Sequence, residues 1–423
     1  MAARYRLALH HSLDDIDPAQ WDAWVGDDPF MRHGVLQALH QTGCASPRTG
    51  WTPLVLALHD AGGLGQTNEP RPMAHDTAEP EAKEDGNADN NDAPHEASHT
   101  PAGNAPLIGA MLLYAKRHSR GEYVFDHAWA DAYARHGLNY YPKLLCAVPF
   151  TPVAGPRLLA DTHDARVALA RAAIHLADQN GLSSVHVLFP CDDDLNALRA
   201  AGYMLRQDIQ FHWRNADYTD MSDFLATLSH DKRKKILQDR KRVARAEVSF
   251  EWRTGAAITA SDLDFFYDCY ALTYRQHGNA PYLSREAFDR MATALPDHLV
   301  LVLAKRNGTP IAAALNVRSG DRLYGRYWGA LEFVSGLHFE TCYLQGIEYA
   351  IAHDLSVFEG GAQGEHKMAR GLLPVATHSA HWVVDRRFAA AIDDFLNAEA
   401  AAVNRYQDEL QDHSPFKTRI APE

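Results

Sequence analysis

Residues Leu355 to Gly371 read LSVFEGGAQGEHKMARG, and our interpretation of the rest of the chain starts from this stretch. Its first residues, Leu355, Val357 and Phe358, have the apolar character of a short strand. Three glycines follow within a few positions, and they allow positive φ angles and the close approach of a ligand. An acid, an imidazole and an amine on such a loop indicate acyl-transfer chemistry, and the alternative is a solvated polar surface loop. The candidate catalytic residues are Glu359, Glu365, His366 and Lys367.

Length and composition indicate a globular protein with two domains. The chain has 423 residues, of which 46% are hydrophobic, and this is enough for two ordinary cores. No apolar run approaches the length of a membrane-spanning helix, and the first residues lack the pattern of a secretory signal. We therefore expect a cytoplasmic protein with no transmembrane segment.

The cysteines and histidines predict neither a disulfide framework nor a metal site. The five cysteines are widely separated and form no CxxC pair, which is typical of reduced thiols. The 24 histidines form no HExxH or similarly close ligand pattern. We therefore predict no metal.

Residues 62–105 differ sharply in composition from their surroundings. They contain nine acidic and two basic residues and almost no large apolar ones. Such a segment buries too little surface to offset the entropy lost on ordering. Strand-like patterns at 51–58 and 107–114 flank it, so we predict a disordered acidic insertion within a β-hairpin.

Both halves of the chain show the same order of helix, three strands, helix, strand and a further strand. This repetition predicts an α/β (α+β) fold of two similar modules, with mostly antiparallel central sheets and flanking helices. The predicted modules are residues 1–215 and 216–423, and a C-terminal helix closes the second.

An aromatic and charged segment at 121–157 predicts part of a substrate pocket. The alternative is a well-packed loop with a polar rim. The candidate substrate-binding residues there are Tyr123, Asp126, Trp129, Tyr141 and Lys143.

Residues 228–246 form a strongly basic helical pattern with eight bases and two acids. A concentrated positive face on an acidic protein indicates a polyanion such as tRNA, a nucleotide pyrophosphate or anionic lipid. The alternative is a solvated helix that pairs with acids elsewhere. The candidate polyanion-binding residues are Lys232, Lys234, Lys235 and Lys241.

Two stretches resemble FemABX-like transferases. The basic helix, LSHDKRKKILQDRKRVARAEV, is similar to a K-x-R-x-x-I-x-x-A helix of that family. Residues 324–371 resemble the end of its second module, in which a strand, a helix, a second strand and a glycine-to-lysine loop follow one another. Outside 62–105, nearly the whole chain is similar to bacterial proteins labelled as peptidoglycan biosynthesis or GNAT-type proteins.

The resemblance implies two tandem GNAT-like (acyl-CoA N-acyltransferase) modules with a cleft between them. It implies transfer of an acyl or aminoacyl group from acyl-CoA or aminoacyl-tRNA to an amine, with a peptidoglycan precursor as the family's acceptor. The loop that cradles coenzyme A pyrophosphate in simple GNAT enzymes is not evident here. The span 246–261 is too short for the helical arm of some Fem proteins, so the donor stays open.

The resemblance also suggests roles for the loop residues. Glu365 or His366 takes the proton of the amine, Glu359 is the alternative base, and Lys367 stabilises the oxyanion or holds a donor phosphate. Further predicted substrate-binding residues are Arg326, Tyr327, Trp328 and Gln363. The function predicted is N-acyl or aminoacyl transfer, and the alternatives are a non-catalytic GNAT-like binding protein for a cell-wall precursor or protein partner, and a structural scaffold.

Overall fold

The computed structural model describes residues 5–61, 105–362 and 364–417. The strands are β1 (Tyr5–His10), β2 (Trp51–Asp60), β3 (Leu107–Lys116), β4 (Lys143–Cys146), β5 (Leu159–Ala160), β6 (Ser184–Leu188), β7 (Met204–Arg214), β8 (Val248–Thr254), β9 (Leu299–Arg306), β10 (Thr309–Ser319), β11 (Arg322–Ala330), β12 (Val357–Glu359) and β13 (Leu373–Val383). The helices are α1 (Pro18–Val25), α2 (His33–Gln41), α3 (His127–Arg135), α4 (His163–Gln179), α5 (Asp192–Ala201), α6 (Met221–Thr227), α7 (His230–Arg245), α8 (Ala260–Gln276), α9 (Arg285–Ala294), α10 (Leu337–Phe339), α11 (Gln345–Ala352) and α12 (Arg386–Asp412).

All of these strands belong to one sheet. Its order is β1-β2-β3-β4-β6-β13-β7-β12-β11-β10-β9-β8, and β5 pairs with β3 beside this path. Among the described strands, two neighbouring pairs are parallel, β4 with β6 and β11 with β12. The predicted fold class, a mixed α/β protein with a mostly antiparallel sheet and flanking helices, is therefore confirmed.

The two halves repeat one arrangement around these parallel pairs. In the first half, α4 connects the region of β4 to β6, and in the second half α10 and α11 connect β11 to β12. Each parallel pair has only three residues in register. Two parallel strands can be joined only by a connection that crosses from one end of the sheet to the other, so a helix between the strands is the expected connection.

The last strand of each half is exchanged at the centre of the sheet. β13, from the second half, lies between β6 and β7, and β7, from the first half, lies between β13 and β12. β7 and β13 pair antiparallel over nine residues, from Leu373 opposite His212 to His381 opposite Met204. The predicted division of the chain at residues 215 and 216 stays a prediction, since strands of both halves form one sheet.

The helices cover both faces of the sheet and position the strand ends. Buried alanines and leucines of α4 recur at helical spacing and pack against β2, β3, β4 and β6. On α11, Gly346 allows the helix to approach β12, because an added Cβ would lie 2.7 Å from the ring of Phe358. A π-helical turn, Glu340–Leu344, joins α10 to α11.

The predicted disordered insertion lies outside the described residues, apart from Ala105. Its flanks form the predicted hairpin, because β2 and β3 pair antiparallel. The backbone N–H of Asp60 donates to the carbonyl oxygen of Pro106 at 3.0 Å, so the two ends of the segment are adjacent.

We predict that residues 62–104 are dispensable for folding. Their replacement by a four-residue turn, with Ala105 kept because its carbonyl oxygen lies 3.0 Å from His59 Nδ1, should leave the thermal midpoint nearly unchanged. Scanning calorimetry measures this. A Gly/Ser linker of the original length is the control, since it keeps the loop-closure entropy but removes the native side chains. A fall of many degrees in both variants would show that the native segment packs on the body.

Candidate active site

A cleft of about 490 Å³ lies where the two halves meet. One wall is the segment that follows β3, with Ser119, Tyr123 and Phe125, and the other is the loop that follows β12. Tyr282 adds an aromatic side chain from the segment before α9. The structure therefore brings part of the predicted aromatic segment together with the predicted catalytic loop, which are far apart in the sequence.

Lys367 is the one predicted catalytic residue among the described residues that line this cleft. Its side chain is only 2% exposed, and its Nζ donates to the carbonyl oxygen of Gly361 at 2.7 Å. Burial lowers the pKa of Lys367 to about 8, because the charged form is poorly solvated there. Within the described residues it forms no ion pair with a carboxylate, so its charge is available to a ligand.

The loop beyond the glycines is helical, so neighbouring side chains turn away from one another. Residues Glu365–Arg370 form a 3₁₀ helix after Gly364, which has a φ of 115°. An added Cβ at Gly364 would lie 2.4 Å from the ring of His366, so glycine is required there.

An extended loop would have placed Glu365 beside Lys367 at the cleft. In the helical loop, Glu365 does not line the cleft. Its exposed carboxylate accepts a hydrogen bond from the hydroxyl of Tyr406 on α12. The ring of His366 packs instead against Phe339, and burial lowers its pKa, assisted by the nearby charge of Lys367. Gln363 lies outside the described residues.

Glu359 occupies the end of β12, one residue before the cleft. It lies opposite His212 in β7 and Tyr324 in β11, and its side chain is 7% exposed. Burial raises the pKa of Glu359 to about 7, against the opposing effect of Arg322, whose Nη1 lies 3.1 Å from Oε1. Burial also lowers the pKa of His212 to about 3, so a neutral imidazole adjoins the carboxyl group.

Of the three predicted residues on β11, Arg326 and Tyr327 lie behind the cleft, and Trp328 does not. Arg326 donates to the carbonyl oxygen of Phe150 at 2.8 Å. Tyr327 packs in the core cluster that also contacts Tyr123 and Tyr282. Trp328 packs against a different cluster, because Tyr327 and Trp328 point to opposite faces of the sheet. Arg326 lies at a register shift in the pairing of β11 with β10, so this alternation does not extend to it.

In the first half, Tyr123 lines the cleft and burial raises its pKa to about 12. Asp126 and Lys143, predicted to bind substrate, are instead buried beneath the wall. Lys143 donates to Glu122 at 2.8 Å, to Ser119 at 2.9 Å and to Asp126. Trp129 packs against His381 in the core.

These buried charges are connected to the cleft and to the exchanged strand. The Ser119 hydroxyl, at the cleft wall, also lies 2.8 Å from the hydroxyl of Tyr141. Tyr140 donates to Asp126 at 2.7 Å and lies 3.1 Å from His186. His186 Nδ1 is in turn 2.7 Å from Nδ1 of His381 on β13. Glu122, His186 and His381 were missed from the sequence, since no local pattern pairs residues so far apart.

The pKa shifts in this network show which members carry charge. Burial opposes the charge of Lys143, but Glu122 and Asp126 outweigh it and raise the pKa. Burial would raise the pKa of Asp126, but Lys143 and His186 reverse that effect and lower it. Burial lowers the pKa of both histidines far enough to keep them neutral. Lys143 and Asp126 therefore form a buried ion pair.

The predicted polyanion-binding lysines lie on α7, away from the residues that line the cleft. Lys232, Lys234, Lys235 and Lys241 are all exposed. Lys235 is ion-paired with Asp239 at 3.3 Å. In the described part of the chain, the other three make no ion pair.

Comparison with known proteins identifies the family. The model of the FemAB-like family, described as peptidoglycan biosynthesis/recognition, matches residues 12–73 and 85–418. The chain belongs to this family. No curated protein matches the sequence.

Several solved structures match the chain at low sequence identity. The crystal structure of FemX matches with a TM-score of 0.48 and 13% identity, over 91% of this chain and 100% of that one. A tandem GNAT protein from the clavulanic acid biosynthesis pathway matches with a TM-score of 0.42 and 11% identity, over 90% and 98%. The C-terminal domain of a putative lysylphosphatidylglycerol synthetase from Agrobacterium fabrum matches with 0.41 and 12%, over 58% and 80%.

We predict that Asp126 is required for stability. Asp126→Ala leaves Lys143 with one carboxylate fewer in a dry site, and breaking a buried pair costs about 3–5 kcal/mol of unfolding free energy. Urea denaturation measures the loss. Asp131→Ala, on the exposed face of α3, is the control and should change stability by less than about 0.5 kcal/mol. Unchanged stability together with weakened ligand binding in Asp126→Ala would return this residue to the substrate-binding set.

Proposed function

We propose that this protein transfers an acyl or aminoacyl group to the amine of a peptidoglycan precursor, and that the reaction takes place in the cleft between residues 119–127 and 360–367. The single observation that carries the proposal is Lys367, a buried amine at the cleft that forms no ion pair within the described residues and whose pKa is lowered to about 8. Membership of a family described as peptidoglycan biosynthesis/recognition supports the acceptor class. The cytoplasmic location expected from the sequence is part of the proposal.

The reaction requires a neutral amine, and Glu359 is our candidate for the group that removes its proton. A carboxyl group with a pKa of about 7 is well matched to general-base catalysis near neutral pH. Glu359 directly precedes Gly360 of the cleft wall, and we assign to its carboxylate the proton of an amine bound in the cleft. The other carboxyl group proposed from the sequence, that of Glu365, is held by Tyr406 on the exposed side of the loop.

Lys367 is assigned to the developing oxyanion. The amine nitrogen attacks the carbonyl carbon, negative charge grows on the carbonyl oxygen, and the bond to the donor's sulfur or oxygen then breaks. A protonated Lys367 stabilises that charge, and the burial of its side chain strengthens the interaction. The leaving thiolate or alkoxide takes up the proton that Glu359 has received from the amine. Because the amine attacks the donor directly, no covalent enzyme intermediate is needed.

The walls of the cleft favour an acceptor that carries negative charge. Among the described residues that line it, none is acidic, whereas Arg120, His127 and Lys367 supply nitrogen donors. Tyr123, Phe125 and Tyr282 add aromatic surface. The carboxylates of a precursor peptide fit this combination of charge and apolar contact.

Two donor classes are compatible with this chemistry, and a direct assay separates them. The protein is incubated with a precursor peptide and either acyl-CoA or charged tRNA, and the acceptor is analysed by mass spectrometry. A mass increase equal to one acyl or aminoacyl group supports the proposal and identifies the donor. Precursor binding without any transfer would support a binding protein instead.

We predict that Lys367→Ala lowers turnover by about 10²–10³, the usual loss for a removed oxyanion donor. Lys367→Arg keeps the charge and should retain more activity. Circular dichroism checks the fold of each variant. Lys305→Ala is the control, since Lys305, on strand β9, pairs with Glu251 on strand β8 and does not line the cleft. Full turnover in Lys367→Ala would remove this residue from the mechanism.

We predict a narrow bell-shaped dependence of turnover on pH. Glu359 must be ionised to accept a proton, so activity should rise through its pKa of about 7. Lys367 must be protonated, so activity should fall through its pKa of about 8. Glu359→Gln should lose the acidic limb together with most activity, and Lys367→Arg should move the alkaline limb to higher pH. A flat profile between pH 6 and pH 9, limits we choose to bracket both groups by about one unit, contradicts this assignment.

A further inference from the structure

Helix α7 carries positive charge that the fold itself does not neutralise. Arg240 is bound by Glu340 and Glu348, and Arg242 and Lys235 by Asp239. In the described part of the chain, the remaining basic side chains of α7 form no ion pair. These are Lys232, Arg233, Lys234, Lys241 and Arg245.

Several of these cations share one face of α7 with an exposed leucine. A shallow groove of about 350 Å³ runs along this face, and the described residues that line it include no acid. The lining side chains recur at helical spacing, and they are His230, Arg233, Lys234, Leu237, Gln238 and Lys241. Leu237, in the middle of the face, is 49% exposed.

A second apolar feature lies in the segment packed beside α7. Residues 331–336 connect β11 to α10, and there Leu331 is 48% and Phe333 is 94% exposed. Val334 of this segment packs against the cluster that contains Val243 of α7. Of the seven large apolar side chains exposed in the described residues, three therefore belong to α7 or to this segment.

We propose that α7 and residues 331–336 dock the protein on an anionic lipid surface. Cations attract the headgroups of anionic lipids and exposed leucine and phenylalanine enter the boundary with the acyl chains, a combination typical of interfacial helices. A purely phosphate-bearing partner such as RNA needs the cations but offers nothing for Leu237 and Phe333. The net charge of −13 repels the rest of the protein from such a surface, so α7 also sets the orientation. The inference is independent of the catalytic proposal.

The test is co-flotation of the full chain with vesicles of phosphatidylglycerol and phosphatidylcholine, compared with pure phosphatidylcholine. We expect binding to the anionic vesicles alone and weaker binding at high salt. Each lysine near such a surface contributes about fivefold to binding. The double variant Lys234→Glu/Lys241→Glu should therefore bind at least about 20-fold more weakly.

Matched variants separate the two parts of the surface. Phe333→Ser should weaken binding several-fold and leave the salt dependence unchanged. Arg386→Glu/Arg405→Glu on α12 makes the same change in net charge at exposed positions and should bind like the parent. Circular dichroism confirms folding, and Lys234→Gln/Lys241→Gln replaces the reversal if that variant unfolds.

Three results would overturn the proposal. The first is equal binding to anionic and neutral vesicles, and the second is unchanged binding in Phe333→Ser. The third is binding to tRNA but not to vesicles, with loss of tRNA binding in Lys234→Glu/Lys241→Glu, which identifies a nucleic acid as the partner of α7.

Discussion

The antiparallel pairing of β7 with β13 is the constraint on which the rest of the molecule depends. Without β13, β6 would end one half of the sheet with unpaired backbone groups, and without β7 the same would be true of β12. Because each half supplies the strand that completes the other, the halves are held at a fixed distance and angle. The loop of residues 360–371 leaves β12 and enters β13, so it is anchored to strands paired with the first half. This anchoring places the loop opposite residues 119–127, and the cleft is the space between them.

The buried charges beneath the cleft depend on the same exchange. Lys143 is fully buried, and a charge in that position is tolerated because two carboxylates and a hydroxyl surround it. The chain of hydrogen bonds continues through Tyr140 and His186 to His381 on β13. Since both histidines are neutral, one ring donates and the other accepts between them. The exchanged strand is thereby joined to the cleft wall by polar contacts as well as by backbone pairing.

Local patterns in the sequence were sufficient for much of this fold. The sequence of α4 has hydrophobic residues at helical spacing. Turn residues at Asn307–Gly308 and Ser319–Asp321 separate β9, β10 and β11. The glycine-rich loop marked the cleft, since glycines and a lysine after a strand are visible within a few residues. The exchange of β7 and β13 was not predictable, because the register of strands so far apart in sequence leaves no local pattern. The burial of each side chain could not be predicted from the sequence. Lys143 and Asp126 are buried away from the cleft, and burial raises the pKa of Glu359 to about 7. Glu365 is exposed and does not line the cleft.

The position of β13 between β6 and β7 also determines when the sheet can be completed during synthesis. β6 and β7 leave the ribosome long before β13, and β13 must come between them. Until the last strand is made, the first half presents two open strand edges, which are templates for pairing with other chains. Translation at about 5–20 residues per second makes the interval between the ends of β7 and β13 roughly 10–30 seconds. A rare-codon cluster or a stalled ribosome in the second half would lengthen it, so the yield of folded protein in the cell should be sensitive to how quickly the end of the message is translated.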